Sequence, residues 1–590
     1  MKNLLLFTIS FILLNSCKEP VKLYIGFPEP DNPEYIDPAL WDQVESDLHA
    51  SFVSVDERYD RDIPPEITIN DSWEGVAWRG EKIHTQFLIW TNEDVPNIHW
   101  DISNLKDNEG NVLNSGSFEI RAVRYVLTDD FLTGCGYRDS DTIQAHIVAD
   151  MLEPIAMLNL PARSTRPIWI TVDIPENQKP GTYKGGLNLH FNSDSLKTLN
   201  ISIKVQDKIL PPPSDWSFHL DLWQNPFAVA RFHDVPLWSQ QHWDLLKPLL
   251  TMLAEAGQKC ITTSIIPAPW GGQTFDPFES MIGWIYNSSG KWEYDYSIFD
   301  QYVQFAMNCG ITQQINCYSM VPWGNQVSYF NEDSSRFVRV KLIPGTEEYE
   351  NIWRPFLFDF RAHLKEMGWL DKTTIALDER GIEEMKALFS FMKETTPEFK
   401  ITMAGHYFEE INHELYDFSY NWMHVFESSK EVADERRKKG AITTYYVACG
   451  IPKPNNFSFS PPAESAYEGW FAAAMGFDGF LRWAYNSWVE DPLMDTRFRT
   501  WPAGDTYFVY PGARNSIRFE RLREGIQDYE KIRILQQESF KNGSQKDKII
   551  LEEIDEFLNK INRESLQDKP AAQWVNEGKE LLEKLSEEAY

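Results

Sequence analysis

The chain has 590 residues, 88 acidic against 56 basic, for a formal charge of −32. That acidity excludes a nucleic-acid binder, which needs a basic stripe to neutralise phosphates, and it disfavours electrostatic docking on anionic lipid. With 42% hydrophobic and 24% charged residues a sizeable core can form, so global disorder is excluded, and the length predicts several domains.

The N-terminus carries Lys2 and then a mostly apolar run from Leu4 to Leu14. The run is shorter than the roughly 20 residues that span a bilayer and reads as the h-region of a signal peptide. It ends in Leu14-Asn15-Ser16-Cys17, which resembles the bacterial lipoprotein signal, with Cys17 as the residue to be lipidated after cleavage of 1–16. Export and a lipid tether are therefore expected. By analogy, Lys18-Glu19 and the type of signal point to the outer membrane of a Gram-negative bacterium, with the protein facing the periplasm or the cell surface. Five further cysteines follow: Cys135, Cys260, Cys309, Cys317 and Cys449. The number is odd, and neither CxxC nor Cys/His metal spacing occurs among them. Buried free thiols are the expected state, although an exported chain permits a disulfide.

Residues 18–213 have the texture of strand and turn. Leu187, Leu189 and Phe191 alternate, as do Leu199, Ile201, Ile203 and Val205, the period of a half-buried strand. Turn clusters such as Lys179-Pro180-Gly181 separate the runs, and Pro211-Pro212-Pro213 closes a predicted all-β sandwich. From 214 to 516 strands alternate with amphipathic helices. Strands are expected at 218–223, 260–266, 312–318, 373–377, 399–403, 418–425, 442–448 and 479–485. Helices are expected at 240–256, 298–307, 350–367, 382–393, 430–438 and 464–475. This is the arithmetic of a (β/α)8 TIM barrel. Residues 517–590 are helical and charged, interrupted at Lys541-Asn542-Gly543-Ser544, and read as a C-terminal structural appendix.

Reactive groups in such a barrel stand at the C-terminal ends of the strands. The fourth strand runs from Thr374-Ile375-Ala376-Leu377 into Asp378-Glu379-Arg380. Two adjacent acids repel, and in an aromatic-lined pocket at least one pKa rises, as a general acid requires. The bland alternative makes Asp378 a helix cap and Glu379 an ion-pair partner of Arg380 on a solvated loop. A conventional retaining glycosidase also needs a second, separated carboxylate about 5–5.5 Å away. None stands near the end of the seventh strand, and Glu427, past the sixth, is the nearest alternative. An acid pair without an enzyme nucleophile suits a substrate that supplies its own. The carbonyl oxygen of a 2-acetamido group attacks C1 to give an oxazoline-type intermediate, one carboxylate orients the amide, and the other protonates the leaving oxygen.

Asp378-Glu379, the sandwich ahead of the barrel, Gly504-Asp505-Thr506-Tyr507-Phe508-Val509-Tyr510-Pro511-Gly512, and the stretch 516–530 ending in Gln527-Asp528-Tyr529-Glu530 together resemble glycoside hydrolase family 123. The resemblance extends over nearly the whole mature chain. It implies a retaining exo-β-N-acetylgalactosaminidase that works by substrate assistance on glycans or glycolipids, without metal or organic cofactor. Carried over, it makes Asp378 the group that polarises and positions the acetamide and Glu379 the general acid/base.

Aromatic residues make up 14% of the chain, with 22 Trp, and sugar rings present apolar C–H faces that stack on them. Trp483 and Tyr485 are expected to share a face of the eighth strand, with Trp483 as the floor beneath the sugar. Tyr445 or Tyr446 is a candidate donor to the acetamide oxygen, since alternation lets only one point inward. Trp223, Asn225, Trp270 and Trp323 end or follow the first three strands and are further candidate walls. Asp505 and Arg518 either bind hydroxyls or brace the last loop. His219, His406 and His424 occur singly, so structural roles are expected for them. Two competing readings stand beside this one: a surface glycan-binding lipoprotein without chemistry, and a glycosidase for another sugar with Glu427 as nucleophile.

Overall fold

The computed structural model describes residues 27–132, 134–136, 142–192 and 195–588, so the expected signal segment and Cys17 lie outside the described residues. Among the described residues no helix is long and apolar enough to cross a membrane.

The N-terminal region is two facing sheets. One orders the strands His49–Val53, Lys82–Thr91, Ser164–Asp173, Phe118–Thr128 and His146–Pro154, and the other is built on Ser72–Arg79, Ser195–Ile209, Gly181–Phe191, Val95–Ile102 and Met157–Leu160. The alternating residues Leu187, Leu189, Phe191, Leu199, Ile201, Ile203 and Val205 all enter the core between them. The strands Gly181–Phe191 and Ser195–Ile209 thus bury alternate residues, as a period of two dictates, whereas Ser164–Asp173 is buried along nearly its whole length.

Eight parallel strands follow: β1 (His219–Leu222), β2 (Cys260–Ser264), β3 (Gln314–Tyr318), β4 (Thr373–Asp378), β5 (Lys400–Gly405), β6 (Asp417–Asn421), β7 (Ile442–Tyr446) and β8 (Gly479–Arg482). They are ordered 1-8-7-6-5-4-3-2. The expected positions hold, but β6 and β8 stop earlier than expected. The closing seam, between β1 and β2, has a single backbone bridge, Leu220 to Gln258. Side-chain amides continue the ladder there. Gln258 Oε1 accepts from Leu222 N at 3.0 Å and its Nε2 donates to Cys260 O at 2.8 Å, while Gln224 Oε1 accepts from Thr262 N at 2.9 Å. An amide side chain can do this because it carries a donor and an acceptor side by side, like a peptide group.

The barrel interior is polar. Gln314 on β3 donates to Asp417 on β6 at 2.8 Å, and His219 on β1 lies 3.2 Å from the same carboxylate. Asn316 on β3 donates to Asp221 on β1 at 3.0 Å and accepts from Thr374 on β4 at 2.8 Å. Most of these bonds join strands that are not neighbours in the sheet, so they cross the interior. Branched apolar residues dominate this place in most such barrels.

One feature escaped sequence reasoning. The strands Gly283–Tyr286, Trp292–Asp295, Gln326–Asn331 and Arg336–Lys341 form a small separate sheet inserted after β2 and β3. The C-terminal region is the packed helical appendix expected, and it is tied to the sandwich. Asn515–Ser516 pairs with His146–Pro154 of the sandwich, and the helix Ile517–Asn542 begins at once. Its Arg521 meets Asp56 at 2.6 Å and its Arg518 meets Asp150 at 2.9 Å, both within the sandwich. The helix ends where Gly543 takes φ 68, the left-handed cap for which glycine has no steric penalty.

The expectation of free thiols is corrected for two cysteines. Cys135, in the connection between Phe118–Thr128 and His146–Pro154, is bonded to Cys449, just past β7, across a sequence separation of 314. Residue spacing carries no trace of a partner that far away. Cys260 and Cys317 are buried free thiols, and Cys309 is half-buried. Replacing Cys135 and Cys449 together by Ala is expected to lower the unfolding free energy by about 2–4 kcal/mol. Urea unfolding of the variant, and of the wild type with and without reductant, measures this. Identical curves would show that the cross-link carries no stability.

Candidate active site

The C-terminal ends of the barrel strands and the loops beyond them enclose a cavity of about 250 Å³. That is below the roughly 300–1,000 Å³ of sites for drug-sized ligands and suits a single sugar ring better than an extended groove. Asp378 and Glu379 both line it. Consecutive strand residues normally face opposite ways. Here β4 ends at Asp378, and Glu379 takes φ 47. The Glu379 N–H donates to Ala404 O at 2.8 Å, so the chain turns while still bonded to β5. The neighbour on β5 is Gly405, with φ 152, where a Cβ would lie 3.2 Å from Glu379 Cα.

The two carboxylates have separate keepers. Trp323 Nε1 donates to Asp378 Oδ2 at 2.9 Å. Arg380 donates to the Asp378 carbonyl at 2.6 Å, with its guanidinium 4.5 Å from the Trp323 ring. Burial, and after it the neighbouring Glu379 charge, pushes Asp378 up to about 7 against the pull of Trp323 and Arg380. The Tyr446 hydroxyl donates to Glu379 Oε1 and accepts from Asn421 Nδ2 at 3.0 Å. Burial and the Glu379 charge hold that phenol well above its usual pKa, so it remains a donor. The bland alternative does not apply. The next helix, Ile382–Thr395, is capped at Gly381 without a side chain, and Arg380 bonds to a carbonyl.

Of the residues expected to touch substrate, Trp223, Trp323, Tyr446, Trp483 and Asp505 line the cavity. Asp505 is locked in place, with Oδ1 2.6 Å from Arg482 and Oδ2 accepting from Trp483 Nε1 at 3.3 Å. It positions the indole. Trp501 packs edge-on against Trp483 at 5.6 Å.

The other candidates lie elsewhere. Tyr445 points out of the barrel and donates to Glu468, because alternation gives the inward place to Tyr446. Tyr485 does not share the Trp483 face. β8 has ended at Arg482, so strand period no longer applies, and the buried Tyr485 hydroxyl donates to Leu249 O at 3.0 Å. Asn225 caps the helix Pro226–Phe232, accepting from Phe227 N and Ala228 N. Trp270 is buried behind Trp223, with ring centroids 4.9 Å apart. Arg518 is fully buried, paired to Asp150 and donating to the carbonyls of Asn456 and Tyr507, away from the cavity. Glu427 is exposed and not among the cavity residues.

Sequence reasoning missed Asn421, Met423, Ile451, Trp501 and the Cys135–Cys449 disulfide, all in the cavity wall. His406 also lines it, 4.1 Å from His424, so these two histidines form a pair. Both follow strand ends, the signal that singled out Asp378. His219 is structural as expected. With Cys260 and Asp417 it forms a buried group of metal-ligand type at the N-terminal ends of the strands, opposite the cavity. Its atoms bond to one another: His219 Nε2 lies 3.3 Å from Cys260 Sγ and 3.2 Å from Asp417 Oδ2.

Residues 223–535 match the family model for the glycoside hydrolase 123 catalytic domain, and residues 52–191 match the glycoside hydrolase 123 N-terminal domain. The structure of a family 123 glycoside hydrolase from Clostridium perfringens, analysed for glycolipid glycan hydrolysis, superposes with a TM-score of 0.82 at 26% identity. The match covers 91% of this chain and 98% of that one. A Bacteroides ovatus GH5 xyloglucanase reaches a TM-score of only 0.26 at 10% identity, over 77% of this chain and 98% of its own, too slight to carry an argument. No curated protein matches the chain.

The Asp378 environment makes a pH-dependent forecast. Its folded-state pKa of about 7 exceeds the ordinary 3.8, so its contribution favours folding below pH 3.8 and is lost as pH rises through 7. Asp378→Asn removes the cost of burying the charge. Unfolding free energy should rise by about 2 kcal/mol at pH 8 and stay level near pH 3.5, roughly half the full shift because Glu379 shares the coupling. Urea titrations at the two pH values test this, and an equal gain at both would contradict it.

Proposed function

The chain belongs to glycoside hydrolase family 123, and on that premise we propose that it releases terminal β-linked N-acetylgalactosamine from glycans or glycolipids, with retention, by substrate-assisted catalysis. The observation that carries the reading is the pair of consecutive carboxylates in one small cavity, each with its own hydrogen-bond donor. Among the described residues, the third carboxylate of the cavity, Asp505, is held by Arg482 and Trp483, and Glu427 is outside, so none of them offers a free nucleophile beside the pair.

In the first step the acetamide carbonyl oxygen bonds to C1 as the glycosidic C–O bond breaks. Asp378, ionised, accepts from the amide N–H and stabilises the positive charge that spreads over the ring so formed. Glu379 gives its proton to the leaving oxygen. In the second step Glu379, now a carboxylate, takes a proton from the water that attacks C1, the oxazoline opens, and the configuration is retained. Trp483 offers an indole face to the sugar, with Asp505 fixing its tilt. The work of the pair needs one proton between two carboxylates; before substrate binds Asp378 is the one that favours holding it, its pKa raised to about 7, so the acetamide N–H must draw Asp378 into its ionised form as the sugar binds and leave the proton for Glu379.

Export is part of the proposal: a lipid tether at Cys17 in the outer membrane of a Gram-negative bacterium, facing the periplasm or the surface. Its support is the apolar run ending in Leu14-Asn15-Ser16-Cys17, together with a disulfide of the kind that persists in oxidising compartments.

The catalytic roles predict an asymmetry. Glu379→Gln should lose a factor of about 10²–10⁴ on substrates with poor leaving groups and much less on activated aryl glycosides, where protonation matters little. Asp378→Asn should fail on both, because ring formation itself is impaired. Steady-state rates with aryl β-GalNAc substrates and a natural β-GalNAc glycan decide the point, and wild-type rates for both variants would reject the assignment. Binding without turnover by the unmodified protein would favour the glycan-binding reading.

A further inference from the structure

The group of side chains at the opposite end of the barrel has no part in the chemistry above. His219, Cys260 and Asp417 are the first residues of β1, β2 and β6, so three strands open with a metal-ligand side chain at one level of the interior. All three are at most 6% exposed. Zinc lies about 2.0–2.3 Å from ligands of these types, which sets tetrahedral ligand atoms about 3.3–3.6 Å apart. His219 Nε2 is 3.3 Å from Cys260 Sγ and 3.2 Å from Asp417 Oδ2, close to that spacing. Hydrogen bonding alone serves the three atoms poorly, because one imidazole nitrogen faces both a thiol and a carboxylate oxygen. With a lone pair it repels Asp417, and with a proton it no longer accepts from the thiol.

A second buried carboxylate, Asp221 on β1, stands beside Cys260. Its Oδ2 accepts from Asn316 at 3.0 Å, while Oδ1 makes no hydrogen bond of normal geometry. Among the described residues His219 is the ion-pair partner of Asp417, and Asp221 forms no salt bridge. Two sealed carboxylates thus share one imidazole as counter-charge, and a divalent cation supplies both the missing charge and a partner for the unbonded oxygen. We propose that His219, Cys260 and Asp417 hold a structural zinc ion, with Asp221 completing a closed, four-coordinate shell. A thiolate and an imidazole suit zinc, whereas calcium and magnesium take shells of oxygen. Binding exchanges the thiol proton, released to solvent, for the ion, and sulfur held in this way is no freer to form a disulfide than the buried thiol. The ion ties β1 to β2 across the seam that has a single backbone bridge, and ties both to β6 across the interior.

The full mature chain, dialysed against metal-free buffer, is analysed for metal by mass spectrometry, and about one zinc per chain is expected. Chain produced in cobalt-supplemented medium should show a thiolate-to-cobalt charge-transfer band in the near ultraviolet. Cys260→Ala and His219→Gln should lose the band and at least tenfold of the metal. Cys317→Ala, which removes an equally buried thiol from β3, should keep both. Wild type refolded from denaturant with zinc should regain the ion and show a higher Tm than the same chain refolded with a chelator. This arm needs no variant and decides the matter where a buried substitution prevents folding. Wild type that holds less than about a tenth of an equivalent, both as purified and after refolding with zinc, overturns the site. So does metal retained by folded Cys260→Ala and His219→Gln chains, and equal Tm values would overturn the bracing role.

Discussion

Everything in the cavity depends on one backbone torsion. A strand that continued past Asp378 would send Glu379 outward, under the helices that cover the barrel. At φ 47 the residue instead turns its side chain back to the mouth, at a cost of about 1–3 kcal/mol for a non-glycine residue. The bond from Glu379 N to Ala404 O keeps this turn in register with β5. Gly405 leaves the room that a Cβ would take. Two acids adjacent in the chain thereby become adjacent in space, and burial, with the Glu379 charge added to it, raises the pKa of Asp378. Trp323 on one side and Tyr446 on the other then make two unlike sites from a chemically similar pair.

Below this layer the barrel is built for rigidity by hydrogen bonding. Asp417, His219, Gln314, Asn316, Asp221 and Thr374 are all buried, and removing one partner would strand another at a cost of about 1–3 kcal/mol. The same economy appears at the seam between β1 and β2, where Gln224 and Gln258 stand in for missing ladder bonds. A floor fixed in this way holds Trp223 and Tyr318, whose rings lie 4.7 Å apart just under the cavity.

The fold and the acid pair were legible in the sequence because both are written in local pattern. Alternation of Leu187, Leu189 and Phe191 marks a strand wherever its partner lies, and an apolar run that breaks at Asp378-Glu379 marks a strand end. What was hidden is set by distant partners. Tyr485 looked inward only while the strand was assumed to continue, and hydrogen bonding ends it at Arg482. Sequence left Arg518 open between binding a sugar hydroxyl and bracing the last loop, and Asp150, from the other domain, holds it as a brace. Asn421 and His406 stand at the ends of strands chosen correctly, and their contribution becomes visible only once β5 and β6 are side by side.

The Cys135–Cys449 bond sets an order of assembly. Cys135 is made 314 residues before its partner, and Cys260, Cys309 and Cys317 all emerge in between. Pairing in order of appearance would couple the wrong residues and trap a half-made barrel. The intervening thiols avoid this by position: Cys260 and Cys317 sit on β2 and β3, where burial raises their pKa and withholds the reactive thiolate. In this chain, concealment of Cys260 and Cys317 within the barrel, with Cys309 half-buried at the end of a helix, leaves Cys135 free to wait for Cys449.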